Sequence, residues 1–118
     1  MLGVKETQMI LEVALLNVRT GKGAAFELAF AQAHGIISSM PGYISHQLQR
    51  CLETRDKYVL LVNWNRLEDH TIGFRQSIQY QEWKRLLHHF YDPFPTVVNP
   101  VLIDTKGCMA VDAVAIVA

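Results

Sequence analysis

The sequence has little of what marks the more specialised classes of protein. Of its 118 residues only two are cysteines, and eleven basic side chains are balanced by eleven acidic ones. A chain without a basic excess offers no stripe of positive charge for phosphate contacts, so nucleic acid is not an expected partner. Cys51 and Cys108 form no CxxC motif or cysteine–histidine cluster, and we expect two free thiols rather than a disulfide or a zinc site.

The sequence also shows no features of a targeting signal or of a membrane-spanning segment. The N-terminal residues MLGVKETQ lack the apolar run of a secretory signal. The apolar tail after Lys106 is about half as long as a membrane-spanning helix and contains Asp112. We therefore expect a cytoplasmic protein that does not contact a membrane. Hydrophobic residues make up 50% of the chain, which suits one globular domain.

Hydrophobic periodicity predicts the first four elements of that domain. The runs 9–18 and 58–64 are apolar on both faces, as in covered strands. Between them, Phe26, Phe30, Ala33 and Ile37 follow the period of a helix, which the Met40-Pro41-Gly42 sequence ends. Residues 43–52 then alternate like a strand, with Ile44, His46 and Leu48 expected on one side and Tyr43 on the other.

The second half of the chain predicts two helical segments and a last strand. A short helix after Trp64 is followed by a break near Gln76-Ser77 and by a longer helix that ends before Pro93. Residues 96–103 predict a fourth strand. The order is that of an α+β, ferredoxin-like βαββαβ domain with a four-stranded antiparallel sheet, over residues 1–106. The tail 107–118 is expected to be an edge strand, an arm that crosses to a partner, or disordered.

Two of the strands are too apolar for a sheet that is covered on one face. The helices of this fold cover one side only, yet large apolar residues occupy both faces of strands one and three, among them Leu11, Leu15, Val59 and Leu61. At about 25 cal/mol per Å² of apolar area, leaving them in water would forfeit several kcal/mol. We therefore predict a homodimer in which two sheets pack face to face.

The segment 64–75 contains the most informative polar and aromatic residues. His70 and Phe74 are four positions apart and share a helical face, which brings both towards Trp64 if that face looks onto the sheet. Aromatic walls with a few polar groups are typical of a binding pocket, although the same spacing also fits plain core packing. No metal or phosphate motif is present, and His34, His88 and His89 are interpreted as helix-end residues without a function.

The order and spacing of several short motifs resemble the antibiotic biosynthesis monooxygenase (ABM) family. The motifs are YVLLVNW, LEDH, GFRQS and YQEW, preceded by Pro41-Gly42-Tyr43, and the resemblance covers roughly residues 9 to 103. It implies a dimeric α+β barrel whose ligand site lies between the sheet and the helices. Family members oxidise aromatic polyketides without metal or flavin, degrade haem, or act on small signalling molecules or quinols, so the fold alone does not select a reaction.

The leading hypothesis is a monooxygenase that uses no cofactor and oxidises a small electron-rich aromatic, of the phenol, anthrone or quinol type, with dioxygen. Such a reaction requires a base that removes a substrate proton, and His70 or His46 fits this role. Asn17 and the Trp64 indole are candidate donors to the oxyanion. Arg75 is a candidate anchor for an acidic or phenolic group, and the candidates for ring stacking are Tyr43, Tyr58 and Phe74.

Three alternatives remain open at this point. The chain fits a non-catalytic dimeric module that binds a small molecule, and it also fits another small-molecule enzyme such as an isomerase or a quinol oxidase. Haem degradation is the third. The resemblance places Asn17 at the position of that branch's asparagine, but Phe74 stands in place of its tryptophan and Lys84 near its iron-binding histidine, with His88 one turn further on.

Overall fold

The computed structural model describes residues 9–95 and 97–99. The strands are β1 (Ile10–Asn17), β2 (Tyr43–Arg50), β3 (Lys57–Trp64) and β4 (Val97–Val98). The helices are α1 (Gly23–Ser38) and α2 (Ile78–Leu87), with a π-helical turn (Asp69–Phe74) before α2 and a 3-10 turn (His88–Phe90) after it. All strand pairs are antiparallel and the sheet order is β2-β3-β1-β4. The predicted α+β, ferredoxin-like fold is confirmed.

The core lies between one face of the sheet and the two long helices. Successive side chains of a strand point to opposite faces, and the inner set of β3 is Tyr58, Leu60, Val62 and Trp64, all buried. Ala14 and Leu16 stand opposite Leu60 and Tyr58 in the antiparallel register of β1 and β3. The predicted helical face of α1 is buried, as are Trp83 and Leu87 of α2. Both helices therefore cover the same face.

A β-bulge in β2 corrects the predicted sidedness of that strand. Tyr43 pairs with Trp64 but Ser45 pairs with Asn63, so Ile44 is an extra residue in the ladder. The bulge brings Tyr43 to the inner face, which it shares with His46, and leaves Ile44 43% exposed. The prediction that placed Ile44 with His46 and opposite Tyr43 is therefore wrong, because alternation holds only where no residue is inserted.

Local sequence explains how the π-helical turn and α2 are positioned. Gly42 has φ +86, and a Cβ atom there would overlap the Asp69 carboxylate, so only glycine allows β2 to begin against the π-helical turn. Ser77 caps α2 by accepting a hydrogen bond from the Tyr80 backbone N–H at 3.1 Å. This is the break predicted near Gln76-Ser77.

The outer face of the sheet is apolar. Leu11 and Leu15 of β1, and Val59 and Leu61 of β3, are each half-buried there. Residues 96 and 100–103 of the predicted fourth strand, and the tail 107–118, lie outside the described residues. Over residues 9–95 and 97–99, neither long helix combines the length and the hydrophobicity that a bilayer span demands.

Candidate active site

A cavity of about 320 Å³ lies between the inner face of β1 and the segment that runs from the π-helical turn to residue 97. Its polar lining residues are Glu12, His70, Arg75 and His88. Its aromatic walls come from Phe74, Tyr80, Trp83, Tyr91 and Phe94. An aromatic enclosure with a few convergent polar groups, at the lower end of the usual volume range, is the form of a site for one small ligand.

The Glu12 carboxylate is a buried polar group of the cavity wall. Glu12 and His70 are the only buried polar or charged residues in the described part of the chain, at 7% and 1% exposure. Oε1 of Glu12 accepts a hydrogen bond from the Trp64 indole Nε1–H at 3.0 Å and lies 3.4 Å from Nε2 of His70. Its second oxygen, Oε2, makes no hydrogen bond to any described residue. That oxygen is therefore available to a ligand in the cavity.

The hydrogen bond of Nδ1 determines which nitrogen of the neutral His70 ring carries the proton. Nδ1 is 2.9 Å from Oδ1 of Asn99, and an amide oxygen only accepts, so the Nδ1–H donates. In the neutral ring Nε2 then carries a lone pair, and it faces the Glu12 carboxylate across 3.4 Å. A proton on Nε2 would therefore lie between the two groups, and the Glu12–His70 pair has the geometry of a general base.

The π-helical turn explains why His70 and Phe74 both point inwards. The Arg75 backbone N–H donates to the His70 carbonyl, five residues earlier, at 3.1 Å. The wider turn leaves His70 and Phe74 buried, and the imidazole lies nearly parallel to the Trp64 ring at 5.8 Å with an interplanar angle of 14°. Single π-helical turns of this kind occur frequently at functional sites.

His88 and Arg75 also line the cavity. Burial, followed by the positive charges of Lys84 and Arg75, lowers the pKa of His88 to about 4, so this imidazole is neutral at pH 7. Its ring lies 4.8 Å from that of Phe94. Arg75 is exposed. Burial is also the main reason why the pKa values of Tyr80 and Tyr91 are raised, and their hydroxyls remain neutral donors.

Comparison with known proteins identifies the family of this chain. The model of the family "Antibiotic biosynthesis monooxygenase" matches residues 9–86. The chain belongs to the ABM family. YczJ of Bacillus subtilis (strain 168), itself uncharacterized, is 58% identical over 89 residues, which is 75% of this chain and 94% of YczJ.

Solved structures of ABM proteins show the same fold. An ABM-family protein from Bordetella bronchiseptica is 34% identical, with a TM-score of 0.75 over 78% of this chain and 94% of its own. SnoaB of Streptomyces nogalater, a cofactor-independent oxygenase, is 20% identical, with a TM-score of 0.68 over 84% of this chain and 97% of its own. At that identity the likeness to SnoaB concerns the fold alone.

The structure brings together half of the residues that the sequence analysis had nominated for this reaction. His70, Phe74 and Arg75 line the cavity, and Trp64 contacts it through His70 and Glu12. The Trp64 N–H already donates to Glu12, so it does not reach a ligand oxyanion in this arrangement. The predicted pocket at the end of β3 is present, although its buried carboxylate comes from β1.

The other four nominated residues lie away from the cavity. Asn17 follows Leu16, and strand alternation turns its side chain to the outer face. The Tyr58 hydroxyl donates to Glu27 at 2.6 Å. His46 and Tyr43 bind each other, with the Tyr43 hydroxyl 2.5 Å from Nδ1 of His46. The prediction that all eight groups converge is corrected in these four positions, because their side chains have partners elsewhere in the domain or point to the other face.

The site residues that sequence reasoning missed include Glu12, His88 and Asn99. The direction of Glu12 could have been predicted from the sequence. It is separated from Ala14 and Leu16 by an even number of positions along β1, so its side chain points to the same inner face. His88 was interpreted as a helix-end residue, although α2 stops at Leu87 and the 3-10 turn redirects it into the cavity. Asn99 could not have been found in this way, because its contact with His70 depends on the packing of β4 against β1.

The cavity does not assemble the residues of the haem-degrading ABM branch. Asn17 points to the opposite face from the cavity. Phe74, which the resemblance places at the position of the tryptophan, and His88 line the wall. Within residues 9–95 and 97–99, no three His, Cys, Asp or Glu side chains cluster as a set of metal ligands.

Proposed function

We propose that this ABM-family chain is a monooxygenase that oxidises a small electron-rich aromatic, of the phenol, anthrone or quinol type, with dioxygen and without a cofactor. The observation that carries the proposal is the buried Glu12–His70 pair on the wall of an aromatic cavity. A carboxylate and an imidazole withdrawn from water are typical of a catalytic base. The setting we propose for the reaction is the cytoplasm.

The chemistry needs such a base because dioxygen is a triplet and reacts slowly with closed-shell molecules. Removal of a phenolic or benzylic proton by the Glu12–His70 pair leaves an anion that is rich enough in electrons to react. For an anthrone the overall change converts a CH₂ group to a carbonyl. One oxygen atom enters that carbonyl, and the other leaves as water with the two hydrogens. The substrate loses four electrons, and dioxygen gains them.

The remaining cavity residues have compatible roles in this scheme. The Phe74 and Trp83 rings, 5.5 Å apart, offer a wall on which an aromatic substrate stacks. Tyr80 and Tyr91, kept neutral by their raised pKa values, supply hydroxyl donors for the substrate anion. Membership of the antibiotic biosynthesis monooxygenase family supports a reaction of the monooxygenase type.

Oxygen consumption tests the proposed reaction directly. Purified protein is mixed with a panel of anthrones, hydroquinones and catechols in an oxygen electrode, with and without added metal or flavin. We expect uptake of one dioxygen per molecule of at least one substrate, above a protein-free blank and independent of the additives. Uptake that requires metal or flavin contradicts the proposal. Tight binding of the panel without any uptake instead indicates a non-catalytic binding module.

We also propose that the protein is a homodimer that covers the outer face of its sheet. In the β1–β3 register Val13 stands opposite Leu61 and Leu15 opposite Val59, which forms a contiguous apolar surface on that face. A balanced formal charge places no net repulsion between copies. A second copy of this chain is the occupant that supplies a matching apolar face by symmetry.

A charge on the outer face should separate the subunits. Leu61→Glu is expected to change the sedimentation coefficient at micromolar concentration from that of a dimer to that of a monomer, because a carboxylate would otherwise be buried without a partner. Ile72→Glu is the matched control, since Ile72 lies on the π-helical turn and is already 53% exposed. A monomeric parent protein, or a Leu61→Glu variant that is folded by circular dichroism and still dimeric, contradicts the proposal.

A further inference from the structure

The cavity is lined by two side chains of opposite charge that differ in exposure. The Glu12 carboxylate is 7% exposed and lies beside His70. Arg75 lines the same cavity and is exposed. A molecule in the cavity thus meets a buried negative group and, where the cavity meets solvent, a positive one.

The guanidinium of Arg75 has no structural task within the described chain. Arg19, Arg50 and Arg85 each pair with a carboxylate, of Asp92, Glu27 and Glu82 respectively. Arg75 makes no such ion pair with any residue in 9–95 or 97–99. Within that part of the chain its side chain makes no hydrogen bond, and its backbone N–H donates to the carbonyls of His70 and Ile72. Its side chain is therefore available to a ligand.

The positive charge of Arg75 also acts inside the cavity. Lys84 and Arg75 both contribute, after burial, to the lowered pKa of His88, which faces the same space. His88 is neutral at pH 7 for this reason and adds no competing charge. Among the described lining residues Glu12 is the only acidic one and its carboxylate is buried, so an anionic group at the exposed side of the cavity meets Arg75 and no carboxylate of a described wall residue.

We infer that the substrate is a hydroxylated aromatic acid, whose carboxylate binds Arg75 at the exposed side of the cavity while its hydroxyl lies against Glu12 and His70. The placement of the hydroxyl rests on the proposed function, whereas the carboxylate site stands on the position of Arg75. A guanidinium presents a planar fork that matches a carboxylate with two parallel hydrogen bonds. A cavity of about 320 Å³ suits a compound of one or two rings.

Turnover of an acid and of its neutral ester tests this orientation. A dihydroxynaphthoate is expected to show kcat/KM about tenfold above that of its methyl ester, which corresponds to one charge-assisted hydrogen-bond pair. Arg75→Gln should remove the preference by lowering kcat/KM for the acid alone. Arg85→Gln is the matched control, because it removes the same charge from the exposed side of α2, and it should keep the preference. Equal kcat/KM for acid and ester in the parent protein overturns the inference and leaves the proposed oxidation standing.

A binding measurement separates this inference from the proposed function. Naphthoate lacks a reactive hydroxyl, so its calorimetric affinity relative to neutral naphthamide reports on the carboxylate site alone. We expect naphthoate to bind about tenfold tighter than naphthamide to the parent protein and to Arg85→Gln. The two compounds should bind to Arg75→Gln with equal affinity. This result without any oxygen uptake supports the anion site while it rejects the oxidation. Naphthoate binding that is unchanged in Arg75→Gln overturns the inference.

Discussion

Replacement of Glu12 by glutamine should lower kcat for the aromatic substrate by about a hundredfold or more and leave the fold intact. The side-chain amide matches the carboxylate in shape, and its oxygen still accepts from the Trp64 indole. What it lacks is the negative charge that receives and stabilises a proton. Loss of a general base typically costs about 10²–10⁴-fold in rate. Steady-state oxygen uptake gives the rate, and thermal unfolding checks the fold.

Glu27→Gln is the matched control for this prediction. Glu27 is also a carboxylate that accepts from an aromatic side chain, the Tyr58 hydroxyl at 2.6 Å, but it lies outside the cavity. Its replacement should change kcat less than twofold. A Glu12→Gln variant that retains most of its activity would transfer the base role to another cavity group, with His88 as the next candidate. Similar losses of kcat in Glu12→Gln and Glu27→Gln would indicate that the removal of any negative charge slows the reaction, whatever its position.

The energetics of burial support a functional role for Glu12. Removing a carboxylate and an imidazole from water costs several kcal/mol per ion, and a buried pair often contributes no net stability compared with apolar residues of similar volume. The neighbours Ala14, Leu16 and Val62 show that this layer of the sheet readily accommodates apolar side chains. A charged residue among them, with one oxygen left for a ligand, is therefore better explained by chemistry than by packing.

The fold was accessible from the sequence because it depends mainly on periodicity. The spacing of Phe26, Phe30, Ala33 and Ile37 identified the buried face of α1, and the apolar run of β3 gave a strand that the structure places at Lys57–Trp64. The bulge at Ile44 was not accessible, since one inserted residue leaves no trace in the composition of an alternating strand. The π-helical turn was predicted only as a helix, because its five-residue hydrogen bond depends on tertiary packing.

The site was only partly accessible, because it joins residues that are distant along the chain. The spacing of His70 and Phe74 predicted correctly that both face the sheet near Trp64. The partner of His70 comes from β1, and it follows from the register that pairs Ile10 with Trp64. Single-sequence patterns contain no information on such a register. His46 was nominated for its chemistry alone, and its packing with Tyr43 lies outside the cavity.

The largest loss of stability is expected for Phe26→Ala. Phe26 of α1 is completely buried, and its ring lies within 4.9 to 6.1 Å of the rings of Tyr58, Phe90, Tyr91 and Phe30. This cluster fastens α1 to β3 and to the segment that follows α2. Truncation leaves a cavity that rigid rings on several elements cannot fill, and such changes typically cost about 3–5 kcal/mol. Urea unfolding measures the loss, at one fixed protein concentration because dimerisation would couple to folding.

Leu28→Ala on the same helix is the control, since Leu28 is 71% exposed and should change the free energy of unfolding by less than about 0.5 kcal/mol. The two substitutions both put alanine, a strong helix former, into α1, so the difference between them reports burial and not helix propensity. A Phe26→Ala variant that loses less than about 1 kcal/mol would mean that α1 repacks onto the sheet. In that case Tyr91, which touches Phe26 and also lines the cavity, should shift, and ligand affinity should change although stability does not.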